Sequence, residues 1–140
     1  MLFKMTHPAV DVCIVCSNFE ESLRFYRDIL ELEVVVDIMI PADFATAIGL
    51  APTGFRQVRL EAGHTRIKLM EIDNPPPARP DTFAAGVRWL TFIIEDVEQT
   101  VAKLKAKGVK FLSEPAIAPD ARGVVCTKDP DGILIEFVQP

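Results

Sequence analysis

The sequence predicts an α+β fold built from two tandem βαβββ units, and three observations carry this prediction. The order strand, helix and three further strands occurs twice along the chain. Each helix begins at a polar capping residue, Asn18 or Asp96, that follows a short apolar strand. The proline-rich segment 74–81 separates the two halves, because proline lacks the amide donor that a strand or helix needs.

The first unit is expected over residues 8–73. Asn18, with Glu21 three residues later, predicts a helix from about 19 to 30. The run 10–16 is short, apolar and rich in β-branched residues, which indicates a strand buried on both faces. Further strands are expected at 33–40, 55–61 and 65–72, the last two joined by a hairpin turn at Ala62-Gly63-His64. Residues 41–54, between the strands at 33–40 and 55–61, are expected to form a long loop, and such loops are more often functional than idle.

The second unit is expected over residues 86–139, after a linker at 74–85, and the two units should form one domain of residues 1–140. Asp96 with Gln99 predicts the start of its helix, and Gly108 predicts the end. Strands are expected at 87–94, 109–112, 123–127 and 133–138, the last two joined by a turn at 129–132.

Composition narrows the possible partners. A chain of 140 residues with 49% hydrophobic and 25% charged residues is typical of one globular domain. A net charge of −5 without a long basic run argues against nucleic acid. Apolar runs are too short to cross a bilayer, and the N-terminus lacks an apolar signal core, so we expect a cytoplasmic protein with no membrane partner.

The three cysteines are expected to be reduced, because their number is odd and no export signal is present. Cys13 and Cys16 have the spacing of a redox or zinc motif. They lie in a strand, however, where residues three apart face opposite sides. Buried apolar cysteines are therefore the favoured interpretation.

The segments 17–30, 95–109 and 128–137 carry a resemblance to a known family. They resemble the vicinal oxygen chelate superfamily, which includes glyoxalase I, extradiol dioxygenases and bleomycin-binding proteins. The resemblance implies that each unit curls into half of an open barrel, giving a curved mixed sheet with a small-molecule site in its concavity. It also implies a homodimer.

In metal-dependent members of that superfamily, the ion is held by one position on the first strand and one on the fourth strand of each unit. The first-strand positions, seven residues before each cap, are Asp11 and Trp89 here, and the matching fourth-strand residues are taken to be Glu71 and Glu136. Many members have histidine at both first-strand positions. Its absence here argues against glyoxalase I and extradiol dioxygenase chemistry.

The sequence is compatible with two alternatives, a bound metal ion or a site without one. If Asp11, Glu71 and Glu136 converge, three like charges need either a cation or bound protons. Three oxygen ligands would favour Mg²⁺ or Mn²⁺ over zinc or iron. In the alternative, no metal is bound, Trp89 fills the fourth position and one carboxyl stays protonated.

Two functions follow from these alternatives. The first is a metal-assisted lyase, isomerase or epimerase in which Glu71 or Glu136 moves a proton beside a carbonyl. The second is a non-catalytic protein that binds a small flat or cationic molecule against Trp89, as bleomycin-binding relatives do. The candidate substrate-binding residues for both are Trp89, Cys13, Gln57, Arg59, Phe44 and Phe55.

Overall fold

The computed structural model describes residues 1–140 and contains two compact units, residues 1–77 and 78–140. Each unit holds one four-stranded mixed sheet and its own helices. The predicted α+β fold with a strand–helix–three-strand order in each half is thus confirmed. Residues 72–88 carry no helix or strand. None of the helices has the length and apolar character needed to span a membrane.

The first sheet has the order β1-β4-β3-β2, with β1 parallel to β4 and the remaining pairs antiparallel. The Asn18 side chain accepts a hydrogen bond from the Glu21 amide at 3.2 Å, which caps the helix as predicted. Gly63 adopts a φ of +62° in the turn between β3 and β4. The elements of this unit are β1 Val12–Val15, α1 Phe19–Leu23, a π-helix Arg24–Ile29 that continues α1, β2 Glu33–Ile40, α2 Ala42–Ala47, β3 Phe55–Ala62 and β4 Thr65–Glu71.

The two faces of the first sheet differ. Along β4, Ile67 and Leu69 are buried on the side where α1 packs, which we call the helix face. The Arg56 guanidinium on this side lies 5.0 Å from the centre of the Phe19 ring of α1. Residues between these, such as Lys68, point to the other side, which we call the open face.

Strand β1 corrects one expectation about its burial. Ile14 and Cys16 are 3% and 1% exposed, whereas Val15 on the other face is 45% exposed. Cys13 is likewise exposed, so the prediction that both cysteines are buried is wrong for Cys13. The cause is that only one side of this strand is covered, because α1 packs on the helix face alone.

The predicted loop 41–54 contains a short helix, α2, which covers one end of the open face. Ala45 of α2 packs with Phe55 and Met70 in a small apolar cluster. Alanine is the residue with the highest helix propensity, and three alanines in six positions stabilise this short turn.

The second sheet has the order β5-β8-β7-β6, with β5 parallel to β8. The Asp96 side chain accepts from the Gln99 amide at 2.9 Å, as predicted. A Cβ on Gly123 would meet Val97 of α3 at 3.4 Å, so this side of the sheet is its helix face. The elements are β5 Trp89–Ile93, α3 Val97–Ala106, β6 Ala116–Ala118, β7 Ala121–Lys128 and β8 Leu134–Gln139.

The strand predicted at 109–112 is absent, and β6 takes its place in the sheet. Residues 109–112 meet β7 through two isolated hydrogen bonds, Leu112 N to Cys126 O at 3.0 Å and Thr127 Oγ1 to Lys110 O at 2.7 Å. A strand needs a continuous ladder of backbone pairs, and these two contacts do not form one.

Candidate functional site

Strand register identifies which residues of the two sheets are equivalent. In the first sheet Cys13 of β1 is paired with Lys68 of β4. In the second sheet Thr91 of β5 is paired with Glu136 of β8. Cys13 and Thr91 hold the same place in the repeat, each five residues before its helix cap. Lys68, and not Glu71, is therefore the counterpart of Glu136.

Glu71 is placed differently from the prediction. It lies three residues beyond Lys68 on the same strand, and an odd offset puts a side chain on the opposite face. Its carboxylate lies 3.8 Å from Arg56 Nη1 on the helix face. The prediction that Glu71 matches Glu136 in the candidate site is wrong. The cause is that a glutamate between apolar residues occurs in both final strands at different registers.

Asp11 and Glu71 also lie far apart along β4. Because Val12 is paired with Ile67, Asp11 lies beside Arg66. Glu71 is five residues further along the strand, which corresponds to about 16 Å at 3.3 Å per residue. These two carboxylates therefore do not share one metal ion.

The Asp11 carboxylate is held by contacts within its own unit. Its Oδ1 accepts a hydrogen bond from the Arg66 amide at 3.0 Å, and its Oδ2 lies 3.3 Å from Lys68 Nζ. The Arg66 amide, and secondarily the Lys68 ammonium, keep the pKa of Asp11 below its usual value. Asp11 is thus ionised and already neutralised by a cation.

These residues do not fit the predicted divalent ion. A lysine ammonium at the position equivalent to Glu136 repels a cation, whereas a metal site needs a carboxylate or another donor there. Within neither unit do three or more His, Cys, Asp or Glu side chains come together in a group that could hold a metal.

Four polar side chains come together on the open face of the first sheet. Arg59 Nε donates to Gln57 Oε1 at 2.6 Å, and Arg59 is the cross-strand neighbour of Lys68. Cys13 flanks Lys68 on its other side. Desolvation raises the pKa of the Cys13 thiol, and the charges of Lys68 and Arg59 oppose that rise only in part.

The two phenylalanines predicted to line a pocket have different environments. Phe55 is 2% exposed in the cluster beneath α2, and its contact with a ligand stays a prediction. The ring is buried because α2 closes over that end of the open face. Phe44 is 50% exposed on α2 itself, and its role in ligand binding stays a prediction.

The open face of the second sheet carries a chain of hydrogen bonds. Trp89 Nε1 donates to Thr91 Oγ1 at 3.0 Å, and the Thr91 hydroxyl donates to Glu136 Oε1 at 2.7 Å. Trp89 is 51% exposed, so its ring is accessible. Cys126 is the other cross-strand neighbour of Glu136, and desolvation raises the pKa of its thiol, with a further rise from the Glu136 charge.

Lys68 and Thr91 were missed at the level of sequence, although a signal for Lys68 was present. The buried residues Ile67 and Leu69 flank Lys68 as Ile135 and Phe137 flank Glu136. Aligning these buried pairs, rather than the two glutamates, gives the observed equivalence. The sequence contains no such signal for Thr91, because threonine is common in strands whether or not it has a functional role.

Comparisons with known proteins agree with this fold. Residues 5–137 match the model of the Glyoxalase/Bleomycin resistance protein/Dioxygenase superfamily. The uncharacterized protein YwkD of Bacillus subtilis (strain 168) is 26% identical over 141 residues, which cover 99% of each chain. The uncharacterized protein YaeR of Escherichia coli (strain K12) is 26% identical over 130 residues, covering 91% of this chain and 92% of that one.

Three solved structures have a similar fold. A glyoxalase family protein from Bacillus cereus has a TM-score of 0.78 at 19% identity, covering 99% of this chain and 96% of that one. TnmS3, an antibiotic binding protein from Streptomyces sp. CB03234, has a TM-score of 0.69 at 20% identity, with coverages of 100% and 98%. Lactoylglutathione lyase from Agrobacterium tumefaciens has a TM-score of 0.64 at 18% identity, with 96% of each chain covered.

Proposed function

The chain belongs to the Glyoxalase/Bleomycin resistance protein/Dioxygenase superfamily, and we propose that it binds a small organic molecule without the help of a metal ion. The single observation that carries this proposal is the ion pair between Lys68 and Asp11 at 3.3 Å. It puts a cation and an already neutralised carboxylate at two of the four strand positions that a metal would need.

Trp89 supplies the second argument for binding. Its ring is half exposed, and its indole N–H is held by the Thr91 hydroxyl, so the plane of the ring is fixed before a ligand arrives. A fixed aromatic face binds flat or cationic molecules at a low entropic cost. The similarity to an antibiotic binding protein supports the binding of a small organic molecule.

A second candidate function is catalysis by Glu136, and one observation favours it. The Thr91 hydroxyl donates to Oε1 of Glu136, while the other carboxylate oxygen has no hydrogen-bond partner. A carboxylate held at one oxygen can take a proton next to a carbonyl with the other, as a lyase, isomerase or epimerase requires. The similarity to lactoylglutathione lyase supports a reaction of this class.

The first experiment uses Trp89, the only tryptophan of the chain, as its reporter. Flat aromatic compounds, with and without a carbonyl group, are titrated while tryptophan fluorescence is recorded, in the presence of either a chelator or Mn²⁺. We expect saturable quenching that is the same in both media. Quenching only with Mn²⁺, or a melting temperature raised by Mn²⁺ or Mg²⁺, would show that a metal belongs to the site.

The second experiment separates binding from catalysis with the Glu136→Gln variant. A compound that quenches the fluorescence is incubated with the protein, and NMR follows its conversion or the exchange of its acidic protons. In a binding protein, Glu136→Gln leaves the compound unchanged, as does the wild type. Conversion by the wild type that Glu136→Gln abolishes, with quenching retained, would favour the enzyme.

The homodimer implied by the family is a further part of the proposal. Paired copies would cover sheet edges that are otherwise unprotected. Light scattering at several concentrations should then give a mass near twice the 15.5 kDa of one chain. A monomer mass at all concentrations would remove this part and leave ligand binding untouched.

A further inference from the structure

We infer that the open face of the first sheet binds an anionic group of the ligand, a carboxylate or a phosphate, through Arg59, Lys68 and Gln57. This inference rests on the proposed function, because it names the chemical class of the small molecule. Its basis is a set of hydrogen-bond donors on one face that have too few acceptors.

Arg59 is the first of these donors. Its Nε donates to Gln57 Oε1 at 2.6 Å, and this is its one hydrogen bond. The side chain forms no ion pair, although Arg59 is half-buried. Removing a guanidinium from water without an anionic partner costs free energy. The two terminal amino groups of Arg59 are therefore suited to two oxygens of an incoming anion.

Gln57 is the second hydrogen-bond donor on this face. The residue is 7% exposed, and its Oε1 is already used as the acceptor for Arg59. Its amide nitrogen remains as a donor with no protein partner. The contact with Arg59 fixes the orientation of the amide, because only the oxygen can accept that hydrogen bond.

Lys68 adds the second positive charge. It is the direct cross-strand neighbour of Arg59, a position about 5 Å away between Cβ atoms. The Asp11 carboxylate compensates one of the two cations, at 3.3 Å from Lys68 Nζ. Glu61, the next acid on this face, is paired across the strands with Arg66. Arg59 forms no ion pair with Asp11, with Glu61 or with Glu33, the acid opposite Glu61 on β2, so its guanidinium has no direct anionic partner.

Three geometric features together select an anion. The planar guanidinium of Arg59 can hold two oxygens in parallel, the Lys68 ammonium adds a point charge, and the Gln57 amide adds a neutral donor. A neutral ligand would leave the Arg59 charge uncompensated in a partly desolvated place. Both a carboxylate and a phosphate satisfy the set, and the two differ in shape and charge.

The inference is tested by NMR on the full-length ¹⁵N-labelled protein at constant ionic strength. The probes are benzoate, phenyl phosphate and the neutral benzamide, which share one ring. We expect the anions to shift the Arg59 Nε–Hε and Gln57 side-chain signals in a saturable way. Arg59→Gln should weaken anion binding about ten- to a hundredfold and leave benzamide unaffected, since hydrogen bonds to charged groups are the strong ones.

Arg24→Gln is the matched control, because Arg24 is an exposed arginine at the start of the π-helix and the change in net charge is the same. Lys68→Gln serves as an independent variant if Arg59→Gln does not fold, and it should also weaken anion binding. Tighter binding of benzoate identifies a carboxylate group, and tighter binding of phenyl phosphate identifies a phosphate.

Any of three results would overturn the inference. One is equal affinity for the anions and benzamide, and a second is an equal loss in Arg24→Gln and Arg59→Gln, which would indicate a general charge effect. The third is the absence of any shift at Arg59 and Gln57. The proposed function fails separately, through the absence of quenching of Trp89 by every compound tested.

Discussion

Reversing the charge of Lys68 gives the most direct test of the reasoning about the first sheet. In Lys68→Glu, the ammonium that lies 3.3 Å from Asp11 is replaced by a second carboxylate. We expect the protein to lose stability at neutral pH and low salt, because an attraction becomes a repulsion between groups on the same face.

The structure sets the size of this loss. The two side chains are 25% and 32% exposed, so the pair is neither fully solvated nor buried. Pairs at the surface contribute about 0.2–1 kcal/mol, and a partly shielded pair belongs at the upper end of this range. Repulsion of similar size brings the expected loss for Lys68→Glu to about 1–2 kcal/mol. Lys68→Gln should lose about half as much.

Urea unfolding of four proteins measures the coupling: wild type, Asp11→Asn, Lys68→Glu and the double variant. Asp11→Asn keeps a side-chain oxygen for the Arg66 amide and removes only the charge. Lys68→Glu should therefore cost less in the Asp11→Asn background. High salt should shrink the difference, because it screens charges at the surface.

One result would refute the reasoning. If Lys68→Glu is as stable as the wild type at low salt, and equally so with and without Asp11, then Lys68 does not neutralise Asp11. Lys68 would then not oppose a metal ion beside Asp11 in the first sheet.

Three further predictions concern other parts of the chain. Arg56, which donates hydrogen bonds to Asp37, holds the pKa of this carboxyl below its usual value. The Asp37 carboxylate therefore stabilises the fold at pH values above its unfolded pKa of about 3.9. This contribution is lost as the pH falls through the lower pKa of the folded state. Asp37→Asn should therefore flatten the acid limb of a urea-unfolding series, and an unchanged slope would contradict this. Gly54→Ala should lower the free energy of unfolding, measured by chemical denaturation, by about 1–3 kcal/mol. The added Cβ would lie 3.0 Å from backbone atoms of residues 40 and 42. Full stability of this variant would mean that the loop moves easily. In the native state a disulfide reagent should modify the exposed Cys13 and spare Cys16, which is 1% exposed. The rate of reaction of Cys13 should keep rising with pH beyond the usual thiol pKa, because desolvation raises the pKa of this thiol.

Local signals in the sequence were sufficient for the helices and most strands. Asn18 and Asp96 cap their helices as the capping pattern predicts. The strand predicted at 33–40 has the observed bounds. These features depend on neighbours within a few residues, so a linear pattern contains them.

Pairing between distant strands was harder to predict. Glu71 and Glu136 look alike in sequence, but the register of β4 against β1 puts Lys68 at the equivalent place. A shift of three residues reverses the face of every side chain, and the local sequence does not determine which partner residue it meets. The short helix α2 was missed for a related reason, because contact with Phe55 and Met70 stabilises it.

The π-helix Arg24–Ile29 has a consequence for how the two halves compare. Leu30 N donates to Phe25 O at 2.9 Å, five residues back, so this turn holds one residue more than an α-helical turn. Phe25 and Tyr26 are both buried and meet edge to face at 5.0 Å. Successive residues of an α-helix point about 100° apart, and the wider turn lets two consecutive rings enter the same core. Deleting one residue here would rotate one of the rings towards water. The two helices of the repeat are therefore not interchangeable parts, and transplanting the regular helix α3 into the first half would empty the space that these two rings fill.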